Sequence, residues 1–529
     1  MPDWILLLPI GFPLVGALIL FPLASRVTLP RRQWLALGFL AIEIGLLLLN
    51  IAPGSHHLTI SNWDLASFTI ALQMDGVTQL LLLTMFVLLA ARWLVAPPRQ
   101  PFDFFAILVL TAALLLTAAD GFVTALIAWT LLDLALFVWR LARALERATA
   151  LRSLAIGLLT GMIFLAGAIL LPARPADGAL LIALALWARL GLFPFHPLLP
   201  TRGADEFDLW FARGIPLLAA SNLWLHWGAW RVAAPYTLIG ALTGVTLVIA
   251  AIWIGRATDA THAVSVGASH ALALAPLSIA FGGDAGIALA LWQILAITFA
   301  LALFEIAQRW RAENRNHYPR LIWILGLLAL AGLPLTPAFL GRIGLSVTLI
   351  ESGEWLLWLL TFATTLIILA PLWRLGLTLR GEELREPTRG ESVGLGLALL
   401  AFAALAFAPM IVAPALAPGV GAAAERALDR VIRTNDALGV GIGALGLILP
   451  VCLSFFLRGL AKDVRPSPRS FAARLARVGD LEWLESAVSR IGFQLGAAAR
   501  NAFTLTEENP TVWILLVGLW VAIFIAISR

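Results

Sequence analysis

Runs of roughly 16 to 25 apolar residues, each long enough to cross a hydrocarbon core of about 30 Å as a helix, recur along almost the whole chain. Short clusters of charge, proline and glycine separate them. The pattern predicts sixteen transmembrane helices, near residues 4–24, 33–51, 74–94, 103–118, 121–141, 152–171, 178–194, 209–230, 236–255, 263–281, 285–307, 320–346, 354–377, 392–416, 436–457 and 511–528. The segment 461–510 follows a different rule. Phe471, Leu475, Val478, Leu481, Leu484, Val488, Ile491 and Leu495 recur at helical spacing, with Arg474, Arg477, Glu482, Arg490 and Arg500 between them. Such a helix lies along the membrane surface, against partner helices or on its own bundle rather than crossing.

Composition narrows the class. With 61% hydrophobic and 13% charged residues and a mean hydropathy of +0.93, the chain is an all-α polytopic membrane protein. A single cysteine, Cys452, excludes an internal disulfide or a cysteine metal site. No His-x-x-x-His, carboxylate cluster or glycine-rich phosphate loop points to a metal, flavin, haem or nucleotide, so no cofactor is expected. Met1 to Leu20 has no basic leader and reads as a retained first span.

Of 36 basic residues only Lys462 is a lysine. Arginine collects in alternate loops: Arg26, Arg31 and Arg32; Arg92 and Arg99; Arg143, Arg147 and Arg152; Arg309, Arg311, Arg315 and Arg320; Arg374, Arg380, Arg385 and Arg389. The positive-inside rule makes those loops cytoplasmic and puts the amino terminus outside, with the mixed-charge segment Glu425 to Asp436 as the local exception. Topology therefore accounts for the arginines, and no nucleic-acid partner is implied.

The seventh run ends in Trp187-Ala-Arg-Leu-Gly-Leu-Phe-Pro-Phe-His-Pro-Leu-Leu-Pro200. Pro194 and Pro197 must break a helix there, and Arg189 and His196 place charge chemistry beside the break. Broken, charged backbone at membrane depth marks a transport site.

These residues resemble the Lys-x-x-x-x-Pro-Phe-His-x-Trp-Leu-Pro pattern of the antiporter-like subunits of respiratory complex I and of Mrp-type cation/proton antiporters. Leu330 to Arg342, with Pro334 and Pro337, resembles the family's broken twelfth helix, and Met74-Asp75-Gly76-Val77 resembles the opening of its third. The resemblance implies two inverted five-helix repeats with helices 7 and 12 broken. It divides the chain into residues 1–100 (helices 1–3), 101–255 (helices 4–8 and the start of the second repeat), 256–380 (helices 10–13), 381–460 (helices 14–15), 461–510 (a lateral helix) and 511–529 (the last span). It implies a bacterial inner-membrane location, partner membrane subunits, lipid, and protons or cations as cargo. Any redox chemistry would belong to the partners.

In the family, protons are thought to move along a mid-membrane row of lysines and carboxylates. Here the row is altered. Thr130 stands at the expected glutamate of the fifth helix, and Asp133 is the nearest substitute, paired with Arg189 or with Arg140. Arg189 and Arg342 stand at lysine or glutamate positions, and arginine is a poor proton relay because it stays charged. His226 is the titratable group of the eighth helix. His270, in Ala268-Ser269-His270, resembles a family Ile-Ser-His/Gln, and His196 either bridges two half-channels or satisfies freed carbonyls. The eleventh helix reads Ala296-Ile-Thr-Phe-Ala300, with nothing ionisable. His56 and His57 read as solvated residues of an outer loop. The expected function is an antiporter-like subunit of a complex I-like assembly with a degenerate proton pathway. The alternatives are a non-pumping scaffold subunit, or the membrane subunit of an inorganic-carbon uptake complex paired with a soluble zinc protein.

Overall fold

The protein was analysed as a computed structural model that describes residues 6–23, 29–49, 56–63, 68–95, 104–142, 147–193, 210–226, 236–255, 257, 260–312, 318–333, 336–378, 391–397, 399–400 and 437–458. All of these fall in one unit, Met1–Arg465. The helices are α1 (Leu7–Leu23), α2 (Leu29–Leu49), α3 (Gly76–Val95), α4 (Phe104–Thr117), α5 (Phe122–Ala142), α6 (Arg147–Leu170), α7 (Pro175–Arg189), α8 (Ile215–His226), α9 (Tyr236–Ile254), α10 (Ala260–Phe281), α11 (Gly286–Ala312), α12 (Tyr318–Ala331), α13 (Pro337–Glu351), α14 (Trp355–Thr378) and α15 (Ala437–Leu457). They lie at the first thirteen expected spans and the fifteenth, with α12 and α13 as two halves of the twelfth. Helical backbone at 391–397 marks the start of the fourteenth. The lateral segment 461–510 and the last span lie outside the described residues. Seven described helices are long and apolar enough to cross a membrane.

The chain is not helical throughout. The stretch read as an outer loop forms an antiparallel hairpin, β1 (His56–Trp63) with β2 (Phe68–Met74), in which Leu58 faces Leu72 across the ladder. β2 is tied to the α4–α5 connection: Gln73 N–H donates to the Ala118 carbonyl (2.8 Å), Asp120 N–H to the Ala71 carbonyl (3.0 Å), and Ala71 N–H to Thr124 Oγ1 (3.0 Å). His57 is therefore more than a solvated loop residue. Its Nδ1 lies 3.1 Å from Asp120 Oδ2, although the imidazole remains half-exposed. After β2, Asp75 accepts the Thr78 N–H at 2.8 Å, which caps α3 and explains the Asp-Gly that opens it.

The ends of α7 and α12 share one closure. At the end of α7, Gly191 N–H donates to the Ala188 carbonyl and Leu192 N–H to that of Trp187. At the end of α12, Gly332 and Leu333 N–H donate to the carbonyls of Ala329 and Leu328. This is a Schellman cap, which needs a left-handed residue, and Gly191 and Gly332 have φ of 64° and 71°. The glycine thus ends the seventh helix at Arg189, five residues before the expected boundary at Pro194; Pro194 itself lies outside the described residues. Gly332 is further confined, because a methyl group there would lie 3.0 Å from Cγ and Cδ of Arg342. Gly332→Ala is expected to cost about 1–3 kcal/mol, the range for a non-glycine residue held at positive φ. A lowered thermal midpoint of the purified protein in detergent would report it.

The centre of the bundle is α11, which packs against α3, α8, α10, α12 and α13. Its span is 94% buried, against 33% for the span in α6. An apolar helix enclosed by five others has no lipid-facing side, so Leu289, Leu295, Phe299 and Phe304 are all core residues.

Candidate functional site

On α5, Ala125, Trp129, Leu132, Asp133, Leu136 and Arg140 are buried, while Ile127, Leu131, Leu134 and Val138 are exposed. The three-and-four spacing gives the helix one apolar face for lipid and one charged face for the bundle. Thr130 lies between the two and bonds back to the Leu126 carbonyl at 2.9 Å, so the residue at the expected glutamate position serves its own helix. Asp133 meets Arg189, the last residue of α7, with Oδ1 accepting from Nη1. The side chains are only 6% and 5% exposed, and the guanidinium also stacks over Trp129 at 5.0 Å. Of the two arginines open to Asp133 from the sequence, Arg189 is the bonded one.

Close approach of the carboxylate depends on Gly157 of α6, where an added methyl group would lie 2.6 Å from Asp133 Cγ. Gly157→Ala is expected to destabilise by about 1–3 kcal/mol through overpacking. Asp133→Ala in the same chain should remove the clash, so the two losses will be smaller together than their sum.

The other candidates are dispersed. Arg342, near the start of α13, donates from Nη2 to the Leu330 carbonyl at 2.8 Å and so closes its own helix break. His270 on α10 bonds through Nε2 to Thr364 Oγ1 of α14 at 2.9 Å. His226 is the final residue of α8 and its side chain lies outside the described set, as do His196, Pro194, Pro197 and Pro334. Pro337 is the first residue of α13, where a missing N–H costs nothing. On α11, Ala296 and Ala300 are fully buried and Thr298 bonds its own backbone.

Other buried ionisable groups lie outside the expected row. Arg213 lies in a π-helical turn, Trp210–Gly214, that leads into α8; it donates to the Ser265 carbonyl and, at 2.7 Å, to Ser269 Oγ on α10. Glu305 of α11 accepts from Arg92 Nε of α3 at 2.7 Å and from the Trp210 N–H at 3.0 Å, fixing that same turn. Glu43 on α2 is fully buried with neither carboxylate oxygen hydrogen-bonded. The signal available was an ionisable residue inside a predicted span. Among the described residues no group of three or more metal-ligating side chains occurs.

The fold and site define a multi-pass membrane protein with a helix broken between α12 and α13 and a charged interior. No protein-family model and no curated protein sequence matches it. Solved structures do. A chain of the Mrp complex from Dietzia sp. DQ12-45-1b superposes with a TM-score of 0.68 at 17% identity over 92% of this chain, which spans 59% of that one. Respiratory complex I from Thermus thermophilus with bound NADH gives 0.65 at 20% identity, covering 80% of this chain and 99% of that chain. The membrane-bound sulfane sulfur reductase, an archaeal respiratory membrane complex, gives 0.62 at 14%, covering 84% and 99%. The likeness is one of fold, shared with chains of these three complexes.

Proposed function

We propose that this chain is an antiporter-like membrane subunit of a multi-subunit, complex I-like ion-translocating assembly, and that its own proton pathway is degenerate. The direct contact of Asp133 with Arg189 carries the reading. A lysine in that place could lose its proton when desolvated and so load and unload a paired carboxylate, whereas a guanidinium stays charged and holds the carboxylate in place. The chemistry that remains is that of a fixed strut between α5 and the broken end of α7. Arg342, bonded to the carbonyl its own helix break leaves free, fits the same role.

The apolar middle of α11 favours a second reading, in which the subunit is a non-pumping scaffold. The arginine-rich loops face the cytoplasm of a bacterial inner membrane, and the amino terminus faces outward.

Mass spectrometry of the gently solubilised complex tests the assignment. Several co-purifying membrane subunits are expected, with flavin and iron–sulfur proteins if the assembly is respiratory. Recovery of the chain alone would overturn the proposal. Recovery with one large soluble zinc protein would replace it with the carbon-uptake reading.

A further inference from the structure

The Asp133–Arg189 pair forms one wall of a cavity with about 40 Å³ of room for water centres. Arg140 of α5, Arg213 of the π-helical turn and Leu217 of α8 complete much of the lining, so three guanidinium groups share the space with one carboxylate. Arg140 and Arg213 are 5% and 4% exposed. Nε and Nη2 of Arg189 and Nε of Arg213 are buried donors with no hydrogen-bond acceptor. A buried guanidinium cannot shed its charge, and unpaired buried charge is costly. The lining therefore carries two positive charges in excess, together with donors that lack acceptors.

We infer that this cavity is a binding site for one small monovalent anion, a halide or a planar oxyanion, held by Arg140, Arg189 and Arg213. The inference goes beyond the function proposed above and stands without it. The volume suits an ion of about the size of one or two waters. Asp133 keeps Arg189 oriented and removes one of the three positive charges, and the small volume is what limits the site to a small ion. Because the holding groups are arginines, occupancy will not depend on pH across the neutral range.

Equilibrium binding of radiolabelled chloride to the purified full-length chain, in detergent and gluconate buffer, tests this. Saturable binding of about one chloride per chain is expected, unchanged between about pH 6 and about pH 9, with nitrate and bicarbonate as competitors. Arg140→Gln breaks no hydrogen bond seen in the structure and should weaken binding about tenfold or more, as loss of a charge-assisted contact implies. Leu217→Phe, which fills the cavity without changing charge, should weaken it as well, and exposed Arg311→Gln should not. If Arg140→Gln fails to fold, Leu217→Phe still decides. Absence of saturable chloride binding to the folded wild type would overturn the site, as would wild-type binding in the folded Leu217→Phe variant.

Discussion

Asp133→Ala is expected to destabilise the bundle by about 3–5 kcal/mol, the cost of removing one partner from a buried ion pair. The carboxylate is the acceptor for Arg189 and lies between α5, α6 and α7, so its loss leaves the guanidinium with Trp129 as its described contact at that end of α7. Arg189→Met alone should cost a similar amount by stranding Asp133. The informative variant is the double one. Replacing both, as Asp133→Leu with Arg189→Met, exchanges the pair for apolar packing and should recover most of the loss, since two buried charges pay a desolvation penalty that their attraction only partly offsets. Denaturation in mixed detergent, followed by tryptophan fluorescence, gives all three values. Additive losses would mean that the two residues act separately and would sink the view of them as one strut.

Glu305→Ala should produce the other large loss, about 3 kcal/mol or more. One carboxylate there serves Arg92 on α3 and the backbone of Trp210, and so ties the centre of the bundle to the π-helical turn that carries Arg213. Glu305→Gln keeps an oxygen for the Trp210 N–H and should lose less. Hydrogen exchange separates this from a general weakening. In Glu305→Ala the amides of 210–226 should exchange faster than those of α14, whereas uniform acceleration would show that Glu305 does not hold the turn specifically.

Much of the bundle was readable because a membrane span imposes length and apolarity on its own residues. What escaped was set by residues distant in sequence. The hairpin from His56 to Met74 contains mixed polar and apolar positions, and its edge is satisfied by the α4–α5 connection, which no local pattern announces. The seventh helix ends at Arg189, short of Pro194, because a left-handed glycine, Gly191, can close a helix before a proline is reached. The pairing of Asp133 with Arg189 was expected beside an alternative with Arg140, and the contact of Arg189 Nη1 with Asp133 Oδ1 is what the structure adds. Arg213 and Glu305 were visible as charges inside spans, but their partners on α10 and α3 were not.

Asp133 and Arg189 form a fixed strut rather than a proton relay. Proton flux in proteoliposomes carrying the purified assembly, wild type against the neutral pair Asp133→Asn with Arg189→Gln, tests it most directly. The same flux is expected from both, once equal incorporation is verified. Loss of flux in the assembled, folded double variant would contradict it.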